Sequence, residues 1–157
     1  TDTLFPYTTL FRSKQSIIKK LSAFFKENPT LLGVAATNEE IENAEKELHL
    51  TIDNDYKEFI LKFGGAYAGI AIYAFKNGTS IGKETIIDLT MNARNLFNTA
   101  NLFPEINNCL VFSDDGAGNP IAIAPNGEVI LFDYDTEEKQ TLANSFEKLI
   151  EDNFINC

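Results

Sequence analysis

Apolar residues recur at helical spacing at both ends of the chain. Residues 14–28 place apolar side chains on one face and lysines on the other, which is typical of an amphipathic helix that packs on a core. Pro29 follows the end of this helix, as expected for a residue that cannot continue it. Residues 144–153 repeat the helical period near the other end, and we expect Ser145 to begin this last helix.

Two further helices between these are marked by terminal signals. Thr37 followed three residues later by Glu40 forms a capping-box pattern that opens the first of them. Asp53 is a candidate N-cap for the second, whose buried stripe runs to Phe63. Gly64 then ends it, because a helix terminates most easily on a residue that tolerates positive φ.

The middle of the chain shows strand patterns instead. Short apolar runs bounded by turn residues predict five strands, and a helix is predicted at residues 90–101. Strands in the middle with helices at both chain ends predict an α+β fold with a single, mostly antiparallel sheet of about five strands and helices packed against it. The predicted strands are residues 70–75, 85–89, 109–112, 121–124 and 129–132.

Residues 113–135 are the most informative stretch. A polar turn, SDDGAGN, precedes two apolar runs that are separated by the turn sequence Pro-Asn-Gly-Glu. Glycine and asparagine tolerate positive φ best, so Gly116, Gly118 and Asn119 indicate a tight turn. The two apolar runs then predict a hairpin. Its far end is acidic and leads to Asp133 and Asp135.

Composition narrows the possible functions. The 157 residues fit one domain, and their formal net charge of −10 argues against binding nucleic acid or an anionic membrane surface. A basic protein partner is compatible with this charge, although many acidic proteins are merely soluble. Cys109 lies in an apolar run and Cys157 is the last residue, so no disulfide framework is expected and a reducing cytoplasm is the default location.

Residues 3–13, TLFPYTTLFRS, resemble the translation of a common DNA-sequencing adapter. They lack the features of a signal peptide and show no clear helical or strand period. We therefore expect residues 1–13 to be a non-native leader and residues 14–157 to form a single domain. A genuine extended N-terminal arm is the competing interpretation.

Candidate chemistry is sparse, and we predict no catalytic residue, no cofactor and no metal site. His49 is the only histidine and has no evident catalytic or zinc-binding partner nearby in sequence. Asp114 and Asp115 lead into a strand without the spacing of a calcium loop. The acids that follow Asp133 could be a solvated strand end or a patch that binds a partner.

Four segments carry a resemblance to a known superfamily. In chain order, they resemble the SUKH superfamily, the domain of fungal cell-wall assembly regulators and of many bacterial toxin-immunity proteins. The segments are residues 37–48 (TNEEIENAEKEL), 52–65 (IDNDYKEFILKFGG), the turn and hairpin at 113–135, and 142–150 (LANSFEKLI).

The resemblance implies a binding protein and not an enzyme. Such immunity proteins neutralise a cognate toxin, often a nuclease, by occluding its active surface. A nuclease surface is basic because it receives phosphates, so an acidic inhibitor fits it. The alternative is a regulatory scaffold of the cell-wall-assembly type. We expect acids and one aromatic residue at the end of the hairpin to form the contact face: Asp114, Asp115, Asp133, Tyr134 and Asp135.

Overall fold

The computed structural model describes the backbone of residues 6–154 and the side chains of residues 16–154. The helices are α1 (Pro6–Glu27), α2 (Asn38–Leu48), α3 (Asn54–Phe63), α4 (Ile86–Ala100) and α5 (Phe146–Phe154). The strands are β1 (Ala66–Tyr67), β2 (Ala71–Ile72), β3 (Leu110–Asp114), β4 (Pro120–Ile123), β5 (Val129–Asp133) and β6 (Glu138–Ala143).

The α+β class is confirmed, but the single five-stranded sheet is wrong. The strands form two antiparallel sheets, a small one with the order β1-β2 and a larger one with the order β3-β4-β5-β6. The strand predicted at residues 70–75 is reduced to β2, because a side chain takes over the hydrogen bonding beyond it. Asn77 Oδ1 accepts the Ala74 N–H at 2.8 Å, and Asn77 Nδ2 donates to the Gly82 and Glu84 carbonyls.

The strand predicted at residues 85–89 is also wrong, since these residues open α4. Thr85 is the N-cap of this helix, and its Oγ1 accepts the Asp88 N–H at 3.2 Å. Asp88 Oδ2 accepts the Thr85 N–H in return at 3.0 Å. This reciprocal capping box satisfies two donors at the start of the helix, which outweighs the strand preference of the neighbouring isoleucines.

Several local predictions are confirmed. Thr37 and Glu40 form the predicted capping box of α2, and Asp53 Oδ2 caps α3 through the Tyr56 N–H at 3.1 Å. Gly64 ends α3 with a φ of +63°. The hairpin forms with Ile121 opposite Leu131, and Ser145 Oγ accepts the Lys148 N–H at the start of α5.

Helix α1 begins eight residues before its predicted start. It therefore includes residues 6–13, which were predicted to be part of a non-native leader. Residues 1–5 of that leader, and Cys157, lie outside the described residues. The origin of residues 1–13 and the domain limits derived from it stay predictions.

The larger sheet is covered by helices on both faces. Alternate residues of β3 show this, because Leu110 and Phe112 belong to one apolar cluster and Val111 to the other. The first cluster joins the sheet to α1, α2, α3 and α5, and the second joins it to Ala93 and Phe97 of α4. Cys109 lies in the second cluster, which confirms it as a buried core thiol.

Candidate partner-binding face

The strand order brings two acidic turns to the same end of the larger sheet. In an up-and-down antiparallel sheet, the β3–β4 turn and the β5–β6 turn share one end, and the β4–β5 turn lies at the other. The first of these turns carries Asp114 and Asp115, and the second follows Asp133. We call this end the acidic end; its members are Asp114, Asp115, Asp133, Tyr134, Asp135, Glu137 and Glu138.

A single asparagine joins the two turns. Asn119 Nδ2 donates to Asp115 Oδ2 at 2.9 Å, and Asn119 Oδ1 accepts the Tyr134 N–H at 3.1 Å. The donation by Asn119, the largest contribution, lowers the pKa of Asp115. The five residues predicted as a contact face therefore lie together, which the structure shows and the sequence alone could not.

Three of the five predicted residues also hold the turns in shape. Asp114 Oδ1 accepts the Gly116 N–H at 2.7 Å, and Asp115 Oδ1 accepts the Ala117 N–H at 2.9 Å. Asp133 Oδ1 accepts the backbone N–H groups of the two residues that follow Tyr134. Each of these carboxylates still has oxygen lone pairs for a partner, but replacing it would disturb its turn.

Tyr134 and Asp135 are different, because their side chains make no hydrogen bond or ion pair to the part of the chain that the structure describes. The Tyr134 side chain is 41% exposed, and its ring packs against Phe97 of α4 with 6.2 Å between centroids. This contact fixes one face of the ring and leaves the rest accessible. A rigid, half-exposed aromatic residue is the type that anchors protein interfaces.

The acidic end is poorly neutralised. Asp133 and Glu138 are direct cross-strand partners, which places two like charges opposite each other. The adjacent cation, Lys139, already forms an ion pair with Glu105 at 2.9 Å. Like charges in this position cost stability.

Strand β6 was not predicted, and the sequence left open whether Glu137 and Glu138 form a solvated strand end or a patch that binds a partner. The run Glu138–Thr141 is polar and exposed at the edge of the sheet, so it lacks the apolar alternation that marks a strand. Glu137 has a φ of +59°, and a non-glycine residue in this region is typical of a tight turn. Pairing with β5 across the intervening turn places Glu138 opposite Asp133 at the acidic end.

The structure also bears on other candidate chemistry. His49 caps α2 with a φ of +55° and borders an open cleft of about 400 Å³ at the opposite end of the sheet, together with Asp53 and Asn108. Within residues 16–154, no three His, Cys, Asp or Glu side chains lie close enough together to hold a metal ion. No helix in the described part of the chain is long and apolar enough to cross a membrane.

The fold and the order of its motifs define a class of protein, an α+β domain of the SUKH type. The family model described as SMI1 / KNR4 family (SUKH-1) matches residues 35–152. The chain belongs to this family, as its sequence motifs predicted. A comparison with curated proteins finds no significant match.

Proposed function

We propose that this protein is an immunity protein that binds a cognate toxin and neutralises it by occluding the toxin's active surface. It acts by binding alone, in the cytoplasm, and catalyses no reaction. Membership of the SMI1/KNR4 family supports a protein partner. The observation that carries the proposal is that the two turns that hold Asp114, Asp115 and Asp135 meet at one end of the sheet, together with the exposed Tyr134.

The electrostatics suit a basic target such as a nuclease. The whole chain has a formal net charge of −10, which would speed its encounter with a positively charged protein. This steering is screened by salt, so the association rate should fall as ionic strength rises. The buried part of the contact, with Tyr134 as the anchor, would then set the dissociation rate.

The test is a binding measurement with the purified cognate toxin domain, sought among the products of the neighbouring genes. Tyr134→Ala should weaken the complex by about 2 kcal/mol, or about 30-fold in Kd, if the ring is a central anchor. Asp135→Lys should mainly slow association. Both variants keep the carboxylates that hold the turns.

Glu47→Lys is the matched control for charge. Glu47 is an exposed residue in the last turn of α2, close in sequence to His49 and the cleft at the opposite end of the sheet. The Glu47→Lys substitution changes the net charge by as much as Asp135→Lys does. If the two charge reversals slow association equally, the proposed face is disproved, although the protein still binds the toxin. If the protein does not bind the toxin at all, the immunity proposal itself is refuted.

A further inference from the structure

A groove runs between α4 and the strands beside the acidic end. Its volume is about 150 Å³, which is similar to cavities that hold a benzene ring. One wall is the flank of α4 and the other is formed by β3 and the start of β4. The residues that line it include Leu89, Ala93 and Leu96 on α4, and Val111, Ser113 and Pro120 on the strands.

The walls of the groove are mainly apolar, and its solvent-exposed lining residues are Asn92, Leu96 and Gly118. Leu96 is 43% exposed, although it belongs to a helix whose neighbouring residue Phe97 is fully buried. The next residue of the helix, Phe97, packs against Tyr134 of the acidic end. An exposed leucine at the edge of a groove with aliphatic walls is a feature that protein interfaces use.

The rim of this groove is negatively charged. Asp114 borders the groove directly, and the Asp115–Asn119–Tyr134 hydrogen bonds tie it to the rest of the acidic end. The one cation of α4, Arg94, lies beside the buried Cys109 thiol and thus toward the second apolar cluster. A segment that enters the groove therefore meets aliphatic walls and carboxylates at the entrance.

A buried hydroxyl adds a second polar feature. Ser113 borders the groove and is fully buried, and its Oγ has no hydrogen-bond partner among the described residues. A buried hydroxyl without a partner costs stability, on the order of 1–3 kcal/mol.

We propose that this groove receives one apolar side chain, of leucine or phenylalanine size, from a basic segment of the partner protein. Lysine or arginine residues on either side of that apolar residue would pair with the carboxylates of the acidic end. This inference rests on the proposed function and deepens it, since it names the chemistry of the segment that the protein recognises.

Two alanine variants on α4, one at a leucine and one at a methionine, test the groove through their affinity for the cognate toxin domain. Leu96→Ala should weaken binding about tenfold, because it removes the exposed wall of the groove. Met91→Ala is the matched control, since Met91 is 40% exposed on α4 but does not border the groove. Binding that responds equally to both variants would overturn the proposal.

A second measurement needs no toxin. The full chain, labelled with ¹⁵N, is titrated with the peptide Lys-Lys-Phe-Lys-Lys and separately with Lys-Lys-Ala-Lys-Lys. The phenylalanine peptide should shift the amides of Ala93, Leu96 and Gly118, and the alanine peptide only those of the acidic end. Identical shift patterns would overturn the groove assignment.

The two measurements separate the possible failures. If the toxin binds but Leu96→Ala behaves as Met91→Ala does, the groove is refuted and the immunity function stands. If the phenylalanine peptide occupies the groove but the toxin does not bind, the immunity function fails and the groove remains a site for a basic, apolar segment.

Discussion

Replacing Asn119 with alanine should separate the two acidic turns. The Asn119 side chain is almost fully buried and makes two hydrogen bonds, one to Asp115 Oδ2 at 2.9 Å and one from the Tyr134 N–H at 3.1 Å. Its own backbone bonds to Asp115 remain in the variant. The substitution therefore tests the link between the turns and leaves the β3–β4 turn closed.

The expected loss of stability is about 2 kcal/mol. A neutral hydrogen bond contributes about 0.5–1 kcal/mol, and one to a charged group contributes about 1.5–3 kcal/mol. For the bond to the Asp115 carboxylate the lower end of this range applies, because Asp115 is exposed and water can replace the lost amide. For a domain of this size, a loss of 2 kcal/mol lowers Tm by about 4–8 °C.

Urea unfolding followed by circular dichroism gives the free energy of unfolding directly. Asn126→Ala is the matched control, because Asn126 makes one side-chain hydrogen bond, to the Glu128 N–H at 3.0 Å, in the exposed turn at the other end of the sheet. We expect about 0.5–1 kcal/mol for this control. If Asn119→Ala costs no more than Asn126→Ala, the account of how the acidic end is held together is incorrect.

Three other predictions concern charge and burial. Glu138→Lys should stabilise the fold by up to ~1 kcal/mol in urea unfolding by removing a cross-strand repulsion, and should weaken toxin binding; a destabilised variant would contradict this. Burial raises the pKa of Cys109 to about 11, so in a Cys157→Ser background a thiol reagent at pH 8 should react only after unfolding, and rapid labelling of folded protein would count against it. The hydrogen bond from Lys139 lowers the pKa of Glu105. The stability that this ion pair contributes is therefore present above the unfolded-state pKa of Glu105 and is lost as pH falls through its folded-state pKa. Lys139→Met should flatten this loss, and an unchanged pH profile of the free energy of unfolding would refute the prediction.

Local signals in the sequence were sufficient wherever one segment fixes its own structure. Thr37, Asp53 and Ser145 start their helices through contacts within three residues, and Gly64 ends one through a backbone angle that glycine tolerates. These interactions depend on residue type and spacing alone, so the sequence predicts them.

Errors arose where two local preferences compete or where pairing with a neighbouring strand decides. The isoleucines after Thr85 favour a strand, but the capping box with Asp88 starts a helix there. Strand β6 forms because β5 offers it a partner, and its own sequence gives little sign of this. The same pairing brings Glu138 opposite Asp133 and completes the acidic end.

The contact residues were predicted from their sequence neighbourhood, but their grouping depends on topology. Asp115 and Tyr134 are 19 positions apart in the printed sequence, and Asn119 joins them only because the two turns share one end of the sheet. The groove beside Leu96 depends on the packing of α4 against β3 and β4. The helix predicted at residues 90–101 contains Leu96, but its position against the sheet could not be read from the sequence, and Leu89 was wrongly placed in a strand.

Amide hydrogen exchange on the full chain, with and without the cognate toxin domain, tests the central claim most directly. The turns at residues 115–119 and 134–138 should exchange more slowly in the complex, and the turn at residues 124–128, at the opposite end of the sheet, should be unchanged. Protection of residues 124–128 and the cleft beside His49, with no change at the acidic end, would contradict the account.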